Sequence, residues 1–244
     1  MLSVLGKELN AFFSSLIGYI AIIVFLVATA LYLWIFPDTN VFNGGYATLD
    51  TFFSIAPSIL MFLVPAITMR LLSEEQKART IEFLLTKPLR DIDIVLGKYF
   101  AALVVILFAL LPTLVYFYSI VALGASADSA DKGAIWGSYI GLFFLGASFA
   151  AIGLFSSSIT SNQVVAFVVG VFLCFIFYLS FDLFSNLQLF YAKVDYIIQQ
   201  IGINRHYQSI SRGVVDSRDV IYFLSLITAF LLLTKYVIGR RKWQ

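Results

Sequence analysis

Residues 16–36 read LIGYIAIIVFLVATALYLWIF, 21 residues without a charge. About 20 apolar residues in helical form cross the hydrocarbon core of a bilayer. Inside that core every backbone amide must be bonded within the segment, which makes such a stretch a helix. Pro37-Asp38 stops it. Ala28-Thr29-Ala30 has the small residues of a leader-peptide cleavage site, but the apolar run continues through Phe36, where a cleavable leader would turn polar. The stretch reads as an uncleaved first span.

Working outward, comparable blocks follow at about 51–69, 99–123, 134–155, 164–181 and 220–238. The chain is 61% hydrophobic and 12% charged, against about 25% charged for a soluble domain. The short alternating segments of a membrane β-barrel are missing. The expected fold class is therefore an all-α integral membrane protein with six transmembrane helices, spanning residues 16–244, with residues 1–15 as a prelude. In that prelude Leu2, Leu5, Leu9, Phe12 and Leu16 recur at spacings of three and four, while Ser3, Lys7, Glu8 and Asn10 fall on other faces. This pattern predicts an amphipathic interfacial helix; the alternative is a mere extension of the first span. Pro57, Pro65 and Pro112 lie inside spans and predict kinks. Gly141, Gly146, Ala147, Ser148, Ala150, Ala151 and Gly153 make the fourth span rich in small residues, which suit close helix packing within the chain or between subunits.

Several function classes drop out. The net charge is +2 without a basic run interleaved with aromatics, so no nucleic-acid partner is indicated. Cys174 is the sole cysteine and His206 the sole histidine, so neither a disulfide nor a clustered metal site is expected. No catalytic constellation is visible, and Ser156-Ser157-Ser158 reads as a helix-end turn. The spans hold no central charge of the kind that marks an ion pathway, Gly97-Lys98 standing at a helix start and Asp182 and Lys235 near span ends. A phosphate-cradling Gly-x-x-x-x-Gly-Lys-Ser/Thr loop is also missing, so any ATP-driven work needs a second chain.

Lysine and arginine set the orientation. Eleven of the 16 fall on the side of the termini and of residues 70–98 and 156–163, and five on the other, which puts both termini in the cytoplasm. Residues 183–218 are then outside. There Leu183, Leu187, Phe190, Val194, Ile197 and Ile201 form one helical apolar face that Gly202 would end, either capping the bundle or lying passively on the outer leaflet.

The segment Leu72-Ser73-Glu74-Glu75-Gln76-Lys77-Ala78-Arg79-Thr80-Ile81-Glu82-Phe83-Leu84-Leu85-Thr86-Lys87-Pro88 reads as a helix on the cytoplasmic face, with Ser73 and Gln76 fitting a capping box and Pro88 ending it. Taken alone, it is a solvated connector. It also resembles the signature of ABC-2 type permeases, in which Gly-Thr-x-Glu-x-Leu-Leu-x-x-Pro follows an acidic-basic run. Thr80, Glu82, Leu84, Leu85 and Pro88 match, and Arg79 stands where the family usually has glycine. Gly6-Lys7-Glu8-Leu9 resembles the family's amino-terminal helix, and the run from His206 to Asp219 looks like its final outer motif. Within the family the likeness is to the gliding-motility-associated permease subunit.

The resemblance implies a half-transporter in the inner (cytoplasmic) membrane of a bacterium. It implies pairing with a second permease subunit, identical or related, and with cytoplasmic ABC ATPase subunits that bind the ATP and magnesium; this chain holds no cofactor. It further implies an ATPase-coupling surface formed by Lys7, Glu8, Ser73, Glu75, Lys77, Arg79, Thr80, Glu82 and Phe83. Between the fifth and sixth spans it implies a re-entrant outer cap or gate that includes Tyr191, Gly202, His206, Ser209, Arg212, Gly213 and Asp216.

Overall fold

A computed structural model describes residues 1–42, 48–80, 90–124, 131–186, 199–213 and 215–240. The described residues are helical, with six helices long and apolar enough to cross a membrane. In chain order the elements are α1 Leu2–Phe13, α2 Leu16–Ala30, α3 Asp50–Lys77, α4 Asp91–Leu110, α5 Leu114–Leu123, α6 Lys132–Ile159, α7 Gln163–Phe175, α8 Phe181–Asn186, α9 Ile203–Ile210 and α10 Ser217–Arg240. The first span is α2 with a π-helical end, Leu31–Ile35, and the third joins α4 to α5 through a 3₁₀ turn, Leu111–Thr113. The fifth is α7 continued by a π-helical stretch, Ile176–Ser180, and by the start of α8.

The fourth span, α6, is the hub. Of its most apolar window 78% is buried inside the chain, against 22% for the first and fifth spans. Lipid tails are as apolar as leucine, so helices in a bilayer associate by close packing rather than by escape from water. Small residues provide that closeness: a Cβ on Gly153 would meet Thr68 Oγ1 at 2.0 Å. Ala147, Ser148, Ala150 and Ala151 are buried beside it, so the stripe of small residues packs within the chain.

Pro57 and Pro65 leave α3 helical from end to end, whereas Pro112 stands in the 3₁₀ turn that interrupts the third span. Of the three prolines, Pro112 alone coincides with a change of helix type. α1 is a separate helix: Ser14 and Ser15 divide it from α2, so it does not simply extend the first span.

Two boundaries depart from the expectation. α3 does not stop near Met69 but runs to Lys77, because Leu71 to Lys77 contains no helix breaker. Ser73 therefore lies inside the helix and is no N-cap. Its Oγ donates to Met69 O, and Gln76 donates to Ser158 O at 2.9 Å instead of closing a capping box. The third span begins at Asp91, so Lys98 belongs to a helix rather than to a loop's end. From Phe53 to Glu75 the 22 rises of α3 cover about 33 Å at 1.5 Å each, and this separates two polar sites at opposite ends of the bundle.

Candidate functional site

The first site lies where α1, the end of α3 and the start of α4 meet. Lys98 Nζ is completely buried, 2.8 Å from Glu8 Oε1, 2.9 Å from Glu75 Oε2 and 2.5 Å from Leu71 O. Lys7 Nζ donates to Glu75 Oε1 at 2.8 Å. Two cations and two carboxylates thus neutralise one another across three helices. The lysine's several partners meet the condition for burying charge, since an isolated ion there would cost several kcal/mol. Burial by itself would lower the Lys7 pKa, but the hydrogen bond and charge of Glu75 outweigh it and hold the group above its ordinary value.

Packing sets the geometry of this cluster. A Cβ on Gly97 would meet Val4 Cβ at 2.9 Å, so only glycine lets α1 lie directly against α4 beside Lys98. Arg70 ties the far end of α1 to α3: its guanidinium donates to Ser15 Oγ at 3.0 Å and lies 4.4 Å over the Phe12 ring. On the other flank Ser157 Oγ accepts from the Leu72 and Ser73 amides and donates to Met69 O at 2.9 Å. The triple serine is therefore a buried clasp between α6 and α3, in its last helical turn.

Of the residues assigned to coupling, the structure brings Lys7, Glu8 and Glu75 together, with Ser73 buried next to them. Lys77, Arg79 and Thr80 are exposed where α3 ends. Arg79 has φ +55, a left-handed conformation that glycine adopts without strain. It is the position at which the resembling family usually has glycine, so the turn is kept and the side chain carries the strain. Thr80 N closes the turn on Glu75 O at 2.9 Å. Glu82 and Phe83 lie outside the described residues.

The second site is at the opposite end, around α9. Gly202 is buried and extended, and it separates the helical residues 199–201 from α9. His206 is buried between Asp219 Oδ1, 2.7 Å from Nδ1, and Gln200 O, 2.9 Å from Nε2, with its ring stacked 3.8 Å from that of Tyr222. Tyr207 OH donates to Phe53 O at 2.7 Å and Ser138 Oγ to Ser211 O at 3.0 Å, which fasten the segment to α3 and α6. Burial pushes the Tyr207 phenol well above its ordinary range. Ser209 and Arg212 line a cavity of about 610 Å³ with Asp182, Asn204 and Gln208. Gly213 turns the chain with φ +90. Asp216 is exposed and accepts from the Arg218 amide at 2.9 Å. Tyr191 lies outside the described residues, as do Leu187, Phe190, Val194 and Ile197 of the expected apolar face, while Leu183 and Ile201 are exposed.

Lys98, noted only at a helix start, and Asp219, noted only as the end of the outer motif, were not assigned to a site from the sequence. Each stands at the edge of an apolar block, where a charge ordinarily marks the end of a span, and each finds its partner on another helix. One usable signal was that Lys98 is followed by an unbroken apolar run from Tyr99 to Leu111. With helix already formed upstream, a lysine there stands inside the span rather than before it.

No curated protein matches the chain. A family model described as ABC-2 family transporter protein matches residues 3–243. With six spans, a charged junction at one end and that match over essentially its whole length, the chain belongs to the ABC-2 transporter family and is a multi-pass membrane component of an ABC transporter.

Proposed function

We propose that the charged junction of α1, α3 and α4 couples this permease to a separate ATPase subunit, which holds the ATP and magnesium. The observation that carries this reading is the Lys7–Glu75–Lys98–Glu8 cluster. It fuses three helices at the point where the exposed turn Lys77–Thr80 leaves the bundle. A push on the chain beyond Lys77 is delivered to all three helices at once. The cation asymmetry supports placing this junction and both termini in the cytoplasm.

The reading has further parts. The chain works in the inner membrane of a bacterium, paired with a second permease subunit, identical or related. α1 lies at the cytoplasmic interface, and residues 183–218 form an outer re-entrant cap beside the cavities that flank α9. The likeness, within the family, to the gliding-motility-associated permease subunit supports an exporter serving motility or protein secretion. A second reading is a mechanical transducer that moves no substrate.

The test is reconstitution with the co-purified ATPase. Glu82→Ala removes the carboxylate that matches the family motif; a buried interfacial pair broken on one side costs about 2–5 kcal/mol, so binding and stimulated hydrolysis fall more than tenfold. Glu74, exposed beside buried Glu75, gives the control: Glu74→Ala changes either quantity less than about threefold, within the ~0–1 kcal/mol of a surface pair. Wild-type behaviour of both variants would reduce the segment to a connector.

A further inference from the structure

The contacts of His206 go beyond packing. Nδ1 faces a carboxylate oxygen of Asp219, and Nε2 faces the carbonyl of Gln200. A carbonyl accepts only, and so does an ionised carboxylate, whereas a neutral imidazole offers a single N–H. With neutral imidazole and ionised Asp219, one ring nitrogen must point a lone pair at an oxygen 2.7 or 2.9 Å away. One additional proton on the pair removes that conflict. It can sit on the ring, giving two N–H donors, or on the carboxyl, giving an O–H donor to Nδ1. The proton therefore belongs to the pair rather than to either residue.

We propose that His206 and Asp219 form a proton-binding site that latches residues 199–206 onto the start of the last span. The latch has three parts. The proton joins His206 to Asp219, the carbonyl of Gln200 receives Nε2–H, and Tyr222 stacks on the ring while its hydroxyl donates to Ile201 O at 2.5 Å. Asp219 Oδ2 is buried and bonds to no donor among the described residues, so the imidazole is the partner on which the carboxylate depends.

The other titratable groups on α9 and on the elements packed against it are engaged elsewhere. Arg205 donates to Gln199 Oε1, Tyr207 to Phe53 O and Tyr139 to Thr113 O. Asp182 accepts from Asn204, and Tyr178 packs its ring edge-on to Phe149. Lys132 and Arg218 are exposed at this end.

The sign follows from proton counting. The closed form holds one proton more than the open form, so acid favours closure, and rising pH opens the latch as the proton leaves to water. The switch answers to the acidity of the medium on the His206 side of the membrane. The inference does not depend on the ATPase-coupling reading.

The experiment uses the full chain in lipid nanodiscs without a polyhistidine tag. His206 is the only histidine, so ¹⁵N-histidine labelling reports this one imidazole. Hydrogen exchange of residues 199–213, corrected for intrinsic rates, is followed from pH 5 to 9 alongside the ring nitrogens. The expected result is at least tenfold more protection at the acid end, lost in step with the ring signal. Asp219→Asn should move both midpoints to lower pH by at least one unit. His206→Phe keeps a ring to stack on Tyr222 and should give low protection at every pH, with unchanged exchange in α3 showing an intact bundle. Flat protection in the wild type overturns the proposal, even if both variants fail to fold. A midpoint unmoved by Asp219→Asn also overturns it.

Discussion

The two ends of the bundle are held by different kinds of contact. At the Lys98 end, charged side chains 68 and 90 positions apart in sequence meet within 2.8 Å. At the His206 end, the polar contacts of the imidazole reach residues 6 and 13 positions away. The first arrangement welds distant helices, and opening it means unpacking α1 from α4. The second closes a local loop between residues 199–206 and the start of α10, and opening it need not unpack the spans. The hydroxyl bonds of Tyr207 and Ser138, the amide of Asn204 on Asp182 and the buried side chains of Ile203 and Ile210 fix that segment to the rest of the bundle. The difference suits the coupling proposed at one end and the latch proposed at the other.

The most severe way to test this contrast is Lys98→Ala. It leaves Glu8 and Glu75 facing each other with the buried cation gone, an expected loss of about 3–5 kcal/mol. Denaturant unfolding in nanodiscs measures it. A loss under about 1 kcal/mol would make the weld no stronger than a surface contact.

At the other end Tyr207→Phe removes one hydroxyl bond, an expected loss of about 0.5–1.5 kcal/mol. Its effect should stay local, with faster exchange in α9 and unchanged exchange in α3. Acceleration throughout α3 would show that the His206 end is tied in as tightly as the Lys98 end.

Lys7→Ala should have the smallest effect, about 0–1 kcal/mol, because the Lys7 side chain is 56% exposed and screened by water. Its pH dependence has a definite sign. Glu75 holds the Lys7 pKa above 10.5 in the folded chain. The stabilisation is therefore present in full below pH 10.5 and is lost as pH rises through the higher folded value. Wild type and variant should differ at pH 9 and converge in stronger alkali. A difference that persists there would assign the contribution to the packing of the lysine's methylenes.

The spans were legible because charge is scarce: a run such as Leu16–Phe36 has a single physical solution in a bilayer. Their ends were less so. Hydropathy falls at Arg70, but α3 continues, since a helix ends where its backbone bonding stops and not where its side chains turn polar. Lys7, Glu8 and Glu75 could be assigned to one surface through a family likeness, yet nothing local to Lys98 announces a partner 90 residues earlier. At the far end the outer motif held both Asp216 and Asp219, and a linear pattern does not decide which carboxylate faces the imidazole.

The clasp between α6 and α3 also sets a clock. Gln76 and the amides of Leu72 and Ser73 bond to Ser157 and Ser158, some 81–85 positions further along the chain. At a synthesis rate of about 5–20 residues per second, those serines emerge roughly 4–17 s after the groups they satisfy. For that interval the second span waits with the Gln76 amide lacking its final acceptors. Arrival of the fourth span is thus the step of synthesis that completes this clasp.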